Sequence, residues 1–206
     1  MRYPIRCTVL LTGALLMTTL LVGAQTTAPS HNISIDAGIT WSPEHARVVN
    51  QSCACFWLQG ASGDASVNFY RGLGAAVELT EGTASNIQPG VNLSKFTYAA
   101  GPRYSWTLGK GTGDKPAKHP ARIFGQALFG QAHGYNSVFP TPNGTVSSAN
   151  SYSIDLGGGI DLALAHNFGI RLAQLDWVRT ALPNTSSNTQ DDLRLGFGAS
   201  YRFRVK

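Results

Sequence analysis

The sequence is poor in charged residues, in cysteine and in long apolar runs, and each shortage excludes a class of protein. Charged residues make up 13% of the 206 residues and aromatic residues 10%, whereas a disordered chain is rich in charge and poor in aromatics. Three cysteines are too few for a small domain held together by disulfides. No run of five Lys or Arg residues occurs, so the formal net charge of +5 does not indicate nucleic-acid binding.

The one long apolar run stands at the start of the chain. Two arginines precede an apolar stretch at 9–22, and small residues follow it up to Ala24. This order is typical of a secretory signal peptide, and the run is shorter than the roughly 20 residues that a retained membrane helix needs. We therefore predict a signal peptide over 1–24, cleaved after Ala24, and an exported barrel domain over 25–206.

Apolar residues then fall on every second position, the period of a β-strand. In 31–41, for example, Ile33, Ile35 and Ile39 alternate with polar or small residues. The pattern predicts eight strands, at 31–41, 56–69, 72–80, 93–108, 121–134, 151–164, 168–180 and 193–203. In 121–134 either face can be the apolar one, and 168–180 keeps its pattern only with a bulge near Ala173–Gln174.

The connections between these segments alternate in length. The links at 70–72 and 165–167 are short enough for tight hairpin turns. The long links, which are rich in Pro, Asn, Ser and Gly, are 42–55, 81–92, 135–150 and 181–192. Outer-membrane barrels alternate tight inner turns with long outer loops in this way. The segment 109–120 is the exception, since it is long and basic for an inner turn.

The aromatic residues and the strand lengths indicate that the apolar face meets lipid. Most of the segments reach the 9–11 residues that a tilted membrane strand needs. Rings near the ends of the strands predict two aromatic girdles, formed by Trp41, Trp57, Tyr70, Tyr104, Trp106, Tyr152, Trp177 and Tyr201. The sequence therefore predicts an all-β fold: an eight-stranded antiparallel up-and-down transmembrane β-barrel.

The opposite face carries charges of both signs, which we predict to form a network in the lumen. Its members are Asp36, Asp64, Glu78, Lys95, Arg103, Asp155, Asp161, Arg194 and Arg202. Isolated buried charges are very costly, so we expect pairs such as Glu78 with Arg103 and Asp155 with Arg194. Side chains just fill an eight-stranded barrel, which excludes a wide pore. The alternative is a soluble exported barrel, with these charges in water and an apolar core or ligand.

Over about 25–206 the chain resembles the OmpA-like and OmpX-like family of outer-membrane β-barrels. The resemblance rests on the signal peptide, the eight strands, the alternation of long and short links and the closing strand 193–203. The stretches 124–130 and 156–160 also resemble the middle strands of this family. The closing strand resembles the signal that the barrel-assembly machinery reads, with Tyr201 and Phe203 as its aromatic end, although three residues follow Phe203. The resemblance implies an outer-membrane location, with outer-membrane lipid and lipopolysaccharide as neighbours. We expect a monomer that binds no nucleic acid.

The sequence offers little reactive chemistry. Cys53 and Cys55 can form a small, strained disulfide, remain thiols, or bind a metal together with His45. A serine or histidine mechanism needs the base within reach of the nucleophile, and no such pair occurs on adjacent strand positions. We predict no catalytic residues, cofactor or metal.

The predicted function is that of a non-enzymatic outer-membrane barrel for envelope integrity, surface interaction or limited passage of small solutes. The alternatives are a lipid A-modifying outer-membrane enzyme and the soluble ligand-binding barrel.

Overall fold

The computed structural model describes residues 33–47, 55–108, 119–165, 167–184 and 188–204, and most of these residues lie in strands. The strands are β1 (Ser34–Trp41), β2 (Glu44–Arg47), β3 (Cys55–Tyr70), β4 (Leu73–Gln88), β5 (Val91–Leu108), β6 (Ala121–Thr141), β7 (Gly144–Ala163), β8 (Phe168–Thr180) and β9 (Gln190–Arg204). The described ranges contain no helix that is both long and apolar enough to cross a membrane. The predicted signal peptide over 1–24, Cys53 and 109–118 lie outside them.

The strands close into an antiparallel ring of eight. Each strand from β3 to β9 pairs with its neighbour in sequence, and β1 pairs with both β3 and β9. The short β2 also lies between β3 and β9, so it continues β1 in the same place in the ring. Pro43 separates the two because it has no N–H to give to a ladder. Its carbonyl still accepts a hydrogen bond from the Leu195 N–H at 2.9 Å.

All four links predicted as long loops contain strand, and two of them are strand almost throughout. The links 81–92 and 135–150 are not loops: β4 runs on to Gln88 and β6 to Thr141, and each turns back within two residues. The periodicity of apolar residues did not predict these extensions. Strands outside the apolar part of the barrel are held by backbone hydrogen bonds and need no apolar residue on every second position. We call the two hairpin extensions, β4–β5 over 81–92 and β6–β7 over 135–150, the tall hairpins. The other two links also contain strand, namely β2 and the start of β9 at Gln190.

Two predictions about the weaker segments are settled by the structure. The bulge in 168–180 is confirmed, since the register with β9 shifts between Arg171 and Gln174. The shift turns Arg171 and Gln174 to the same face, although they are three residues apart. In β6 the even-numbered residues face inward, and they include buried Phe124 and Leu128.

The barrel has an apolar outside and a polar inside. Large apolar side chains point away from the interior, Ile39 being 67% exposed. The buried polar residues alternate with them and face the lumen. This is the reverse of the soluble alternative, in which the charges would face water.

We call the outward apolar residues the apolar band. We call the end of the barrel distant from Ser34 and Arg204 the outer end. The outer edge of the band lies at Leu79 on β4, at Phe96 on β5 and at Leu193 on β9. Glu81 and Asp191 face outward beyond this edge.

Candidate functional site

A carboxylate shared by two arginines lies in the middle of the lumen. Asp64 accepts hydrogen bonds from Arg103 at 2.7 Å and from Arg171 at 2.6 Å, and all three side chains are buried. Both guanidinium groups also lie over the Phe124 ring, 4.5 and 4.7 Å from its centre. Such cation–π contacts stabilise desolvated guanidinium groups.

A second carboxylate ties together four strands at the inner end, where Ser34 and Arg204 lie. Asp36 on β1 accepts hydrogen bonds from Arg202 at 2.7 Å, from Arg122 at 2.8 Å and from Asn68 at 2.6 Å. These donors belong to β9, β6 and β3. Asp36 is buried, so the pairing satisfies a group that would be costly alone.

The outer half of the lumen is organised around Arg194. Its guanidinium donates to Glu78 at 2.9 Å and to Asp155 at 2.7 Å, with Glu44 at 4.0 Å. Asp176 lies beside this group and accepts hydrogen bonds from Gln126 and Gln174. The two glutamines also reach Glu78, each at 3.1 Å, and so connect the middle of the lumen to its outer half.

All nine charged residues named from the sequence lie on the inner face. Eight of them are buried and Arg202 is half-buried. Asp155 and Arg194 form the expected pair, but the pairing of Glu78 with Arg103 is wrong. Arg103 stands opposite Gly74, four residues along β4 from Glu78, a separation of about 13 Å at 3.3 Å per residue. Asp64, the carboxylate that Arg103 does bind, stands directly opposite Glu78 on β3, so the register alone does not decide which carboxylate an arginine binds.

Several lumen residues were missed by the sequence reasoning. They are Glu44, Arg122, Gln126, Arg171, Gln174, Asp176 and Asp192. Glu44 and Asp192 lie in segments taken for loops, and the bulge hid the common face of Arg171 and Asp176. The ambiguous face of β6 hid Arg122 and Gln126. A search for acid and base residues three or five apart across the predicted bulge would have found Arg171 and Asp176 on β8.

The predicted girdle residues all face outward, near the two ends of the barrel. Trp41, Trp57, Tyr152 and Trp177 lie towards the outer end, and Tyr70, Tyr104, Trp106 and Tyr201 towards the inner end. Seven are exposed, and Trp177 is half-covered by Arg179, 5.8 Å from its ring. Phe203 packs beside Tyr201 with 4.6 Å between ring centres. Their contact with lipid and with the assembly machinery stays a prediction.

A cup opens above the lumen between the tall hairpins. Its volume is about 400 Å³, within the range of about 300–1,000 Å³ typical of small-molecule sites. Apolar side chains form most of its wall, among them Phe56, Leu58, Ile87, Leu93, Phe139 and Leu182. Leu58 and Leu182 are buried, and Phe56, Ile87 and Leu93 pack against the cluster around Leu58.

The floor of the cup is formed by Lys95 and Asp192, and the neighbouring Glu44 completes a charged triad at the outer edge of the apolar band. Lys95 Nζ donates to Glu44 and, at 3.1 Å, to Asp192, and each of the three side chains is 5% exposed. One ammonium thus serves two carboxylates, so a proton or another cation is favoured at this floor.

The cysteine prediction is untested. Cys55 is exposed at the start of β3, and its proposed partner Cys53 lies outside the described residues. His45, the third ligand considered, packs edge-on against Trp57 at 4.9 Å. Within the described ranges no three His, Cys, Asp or Glu side chains are placed to hold a metal ion.

The ring, the apolar outside and the ion-paired inside define an eight-stranded antiparallel β-barrel. No protein-family model and no curated protein sequence matches the chain.

Two solved structures share the fold. Neisserial surface protein A is 14% identical with a TM-score of 0.59, over 85% of this chain and all of its own. The attachment invasion locus protein Ail of Yersinia pestis, in complex with the heparin analogue sucrose octasulfate, is 15% identical with a TM-score of 0.52, over 84% of this chain and all of its own. At these identities the likeness concerns the fold.

Proposed function

We propose that the protein is an integral outer-membrane barrel, without enzymatic activity, that is closed to solutes and serves as a surface-interaction protein. The main observation behind this proposal is that the apolar side chains face outward and the buried ion pairs lie inside the barrel. A membrane is the surrounding that stabilises such an outside, because exposed apolar area is otherwise unfavourable in water. In this proposal the segment 1–24 directs export and strand 193–203 is read by the barrel-assembly machinery.

Of the roles expected from the sequence, surface interaction has the best support. The buried pairs of Arg103 and Arg194 lie between the cup and a smaller cavity at the inner end, which argues against passage of solutes. The tall hairpins lengthen the barrel beyond the apolar band, as a structure for external contacts requires. They contain no Lys or Arg over 82–94 and 134–150. For this reason we do not extend to this chain the sulfated-sugar complex known for Ail.

Expression in a Gram-negative host tests the proposal. We expect the protein in the outer-membrane fraction, with an N-terminus at Gln25 and faster gel migration before boiling than after. Recovery from the soluble periplasm, or identical migration of both samples, would contradict the membrane barrel. Incubation of the purified protein with lipid A tests the absence of enzymatic activity, since release or transfer of an acyl chain would overturn it.

A further inference from the structure

The outer half of the lumen holds more acid than base. Five buried carboxyl side chains face two buried cations there: Glu44, Glu78, Asp155, Asp176 and Asp192 against Lys95 and Arg194. The middle and the inner end of the lumen together have the opposite excess, with Arg103, Arg122, Arg171 and Arg202 against Asp36, Asp64 and Asp161. The surplus of negative charge is therefore confined to the half that lies beneath the cup.

The surplus reaches the floor of the cup itself. Arg194 donates to Glu78 and Asp155 and lies 4.0 Å from Glu44, so among the described residues Lys95 is the cation that hydrogen-bonds both Glu44 and Asp192. The described residues of 82–94, 134–150, 181–184 and 188–190 contribute no further charge. A cation entering the cup would meet Asp192, which shares the Lys95 ammonium with Glu44, above an outer half in which carboxyl groups outnumber cations.

The walls restrict the kind of cation. A metal ion requires several oxygen, nitrogen or sulfur ligands, whereas this wall is mostly apolar. An organic cation with an apolar body satisfies both parts of the cup, because the body covers Ile87, Leu93 and Phe139 while the charge reaches the floor.

We propose that the cup is a binding site for apolar amines, small organic cations whose ammonium group donates to Asp192 and whose hydrocarbon body lies between the tall hairpins. The proposal rests on the surface-interaction role above and names the ligand class of that surface. A hydrogen bond to a charged group is worth about 1.5–3 kcal/mol, so the charge on the ligand is expected to change its affinity about tenfold or more.

Three fluorescent probes of equal size and different charge test this proposal. They are 9-(aminomethyl)anthracene, 9-anthracenemethanol and 9-anthracenecarboxylate, titrated onto the full-length protein in zwitterionic lipid nanodiscs, with empty nanodiscs subtracted. We expect saturable binding in which the amine exceeds the alcohol about tenfold and the carboxylate binds most weakly. Equal affinities, or no binding above empty nanodiscs, would overturn the proposal with the wild-type protein alone.

Matched variants locate the site. Asp192→Asn should remove the preference for the amine and leave the alcohol unchanged. Asp191→Asn, the neighbouring residue that faces outward in an exposed pair with Arg179, should change neither. Ile87→Ser should weaken the amine and the alcohol together. An unaltered preference in Asp192→Asn would refute the role of the floor, provided that heat-modifiable migration shows the variant folded. That migration also separates failure of this proposal from failure of the barrel.

Discussion

Replacing Asp64 by asparagine is the sharpest test of the buried network. The substitution keeps the shape of the side chain and removes the charge that Arg103 and Arg171 share at 2.7 and 2.6 Å. Arg171 would keep Asp161 as a partner at 2.8 Å. Arg103 would keep only neutral partners, Gln126 and Ser66 among the hydrogen bonds and the Phe124 ring.

The expected loss of stability follows from that imbalance. Removing one partner of a buried ion pair costs about 3–5 kcal/mol, because an uncompensated charge stays behind. We therefore expect Asp64→Asn to lower the free energy of unfolding by about that amount. An exposed pair contributes about 0–1 kcal/mol. Asp191→Asn breaks such a pair, in which Arg179 and Asp191 are 41% and 48% exposed, and is the control.

Urea titration of protein folded into lipid vesicles measures both variants. The folded fraction is obtained from the fast-migrating band of unboiled samples and from tryptophan fluorescence, with unfolding and refolding followed to the same end point. A loss in Asp64→Asn no larger than in Asp191→Asn would refute the reasoning, since the pair would then behave as if solvent screened it.

Three further changes probe the wall, the outside and the closed lumen. Gly38→Ala should destabilise the barrel by about 1–3 kcal/mol in the same titration, because its new Cβ would lie 2.4 Å from Asp64 Oδ1; unchanged stability would contradict this packing. Val77→Arg in the apolar band should cost about 2–4 kcal/mol, whereas Thr83→Arg beyond the band should cost little, and equal losses would argue against a lipid-facing band. In planar bilayers the wild-type protein should carry no steady current and Arg194→Ala should admit cations; an open wild-type channel would contradict the closed lumen.

The sequence was sufficient to predict the ring of strands, because a strand with one face towards lipid must carry apolar residues on every second position. Each segment with apolar residues on every second position became a strand, and the bulge in β8 was needed to keep one face of that strand outside. The tall hairpins carry no such signal. Their strands are held by backbone hydrogen bonds, and residues such as Thr83, Ser148 and Asn150 do not have to alternate with apolar ones.

The lumen was harder to predict than the ring. Alternation tells which face a charge occupies but not which other charge it pairs with across the lumen. Glu78 and Arg103 illustrate this, because both face inward and yet bind different partners. The cup could not be predicted, since its floor brings together Glu44, Lys95 and Asp192 from β2, β5 and β9, which are far apart in the sequence.

The position of two arginines on the last strand has a consequence for assembly. Arg194 and Arg202 are the partners of Glu78, Asp155 and Asp36, which belong to β4, β7 and β1. Until β9 arrives, Glu78 and Asp155 lack the cation that compensates them in a low-dielectric interior, and Asp36 has only Arg122 of its two arginines. An incomplete sheet therefore has no stable way to dehydrate its inner face. Sealing the seam between β1 and β9 and drying the interior become a single cooperative event, so the chain is committed to the barrel only when its final strand is in place.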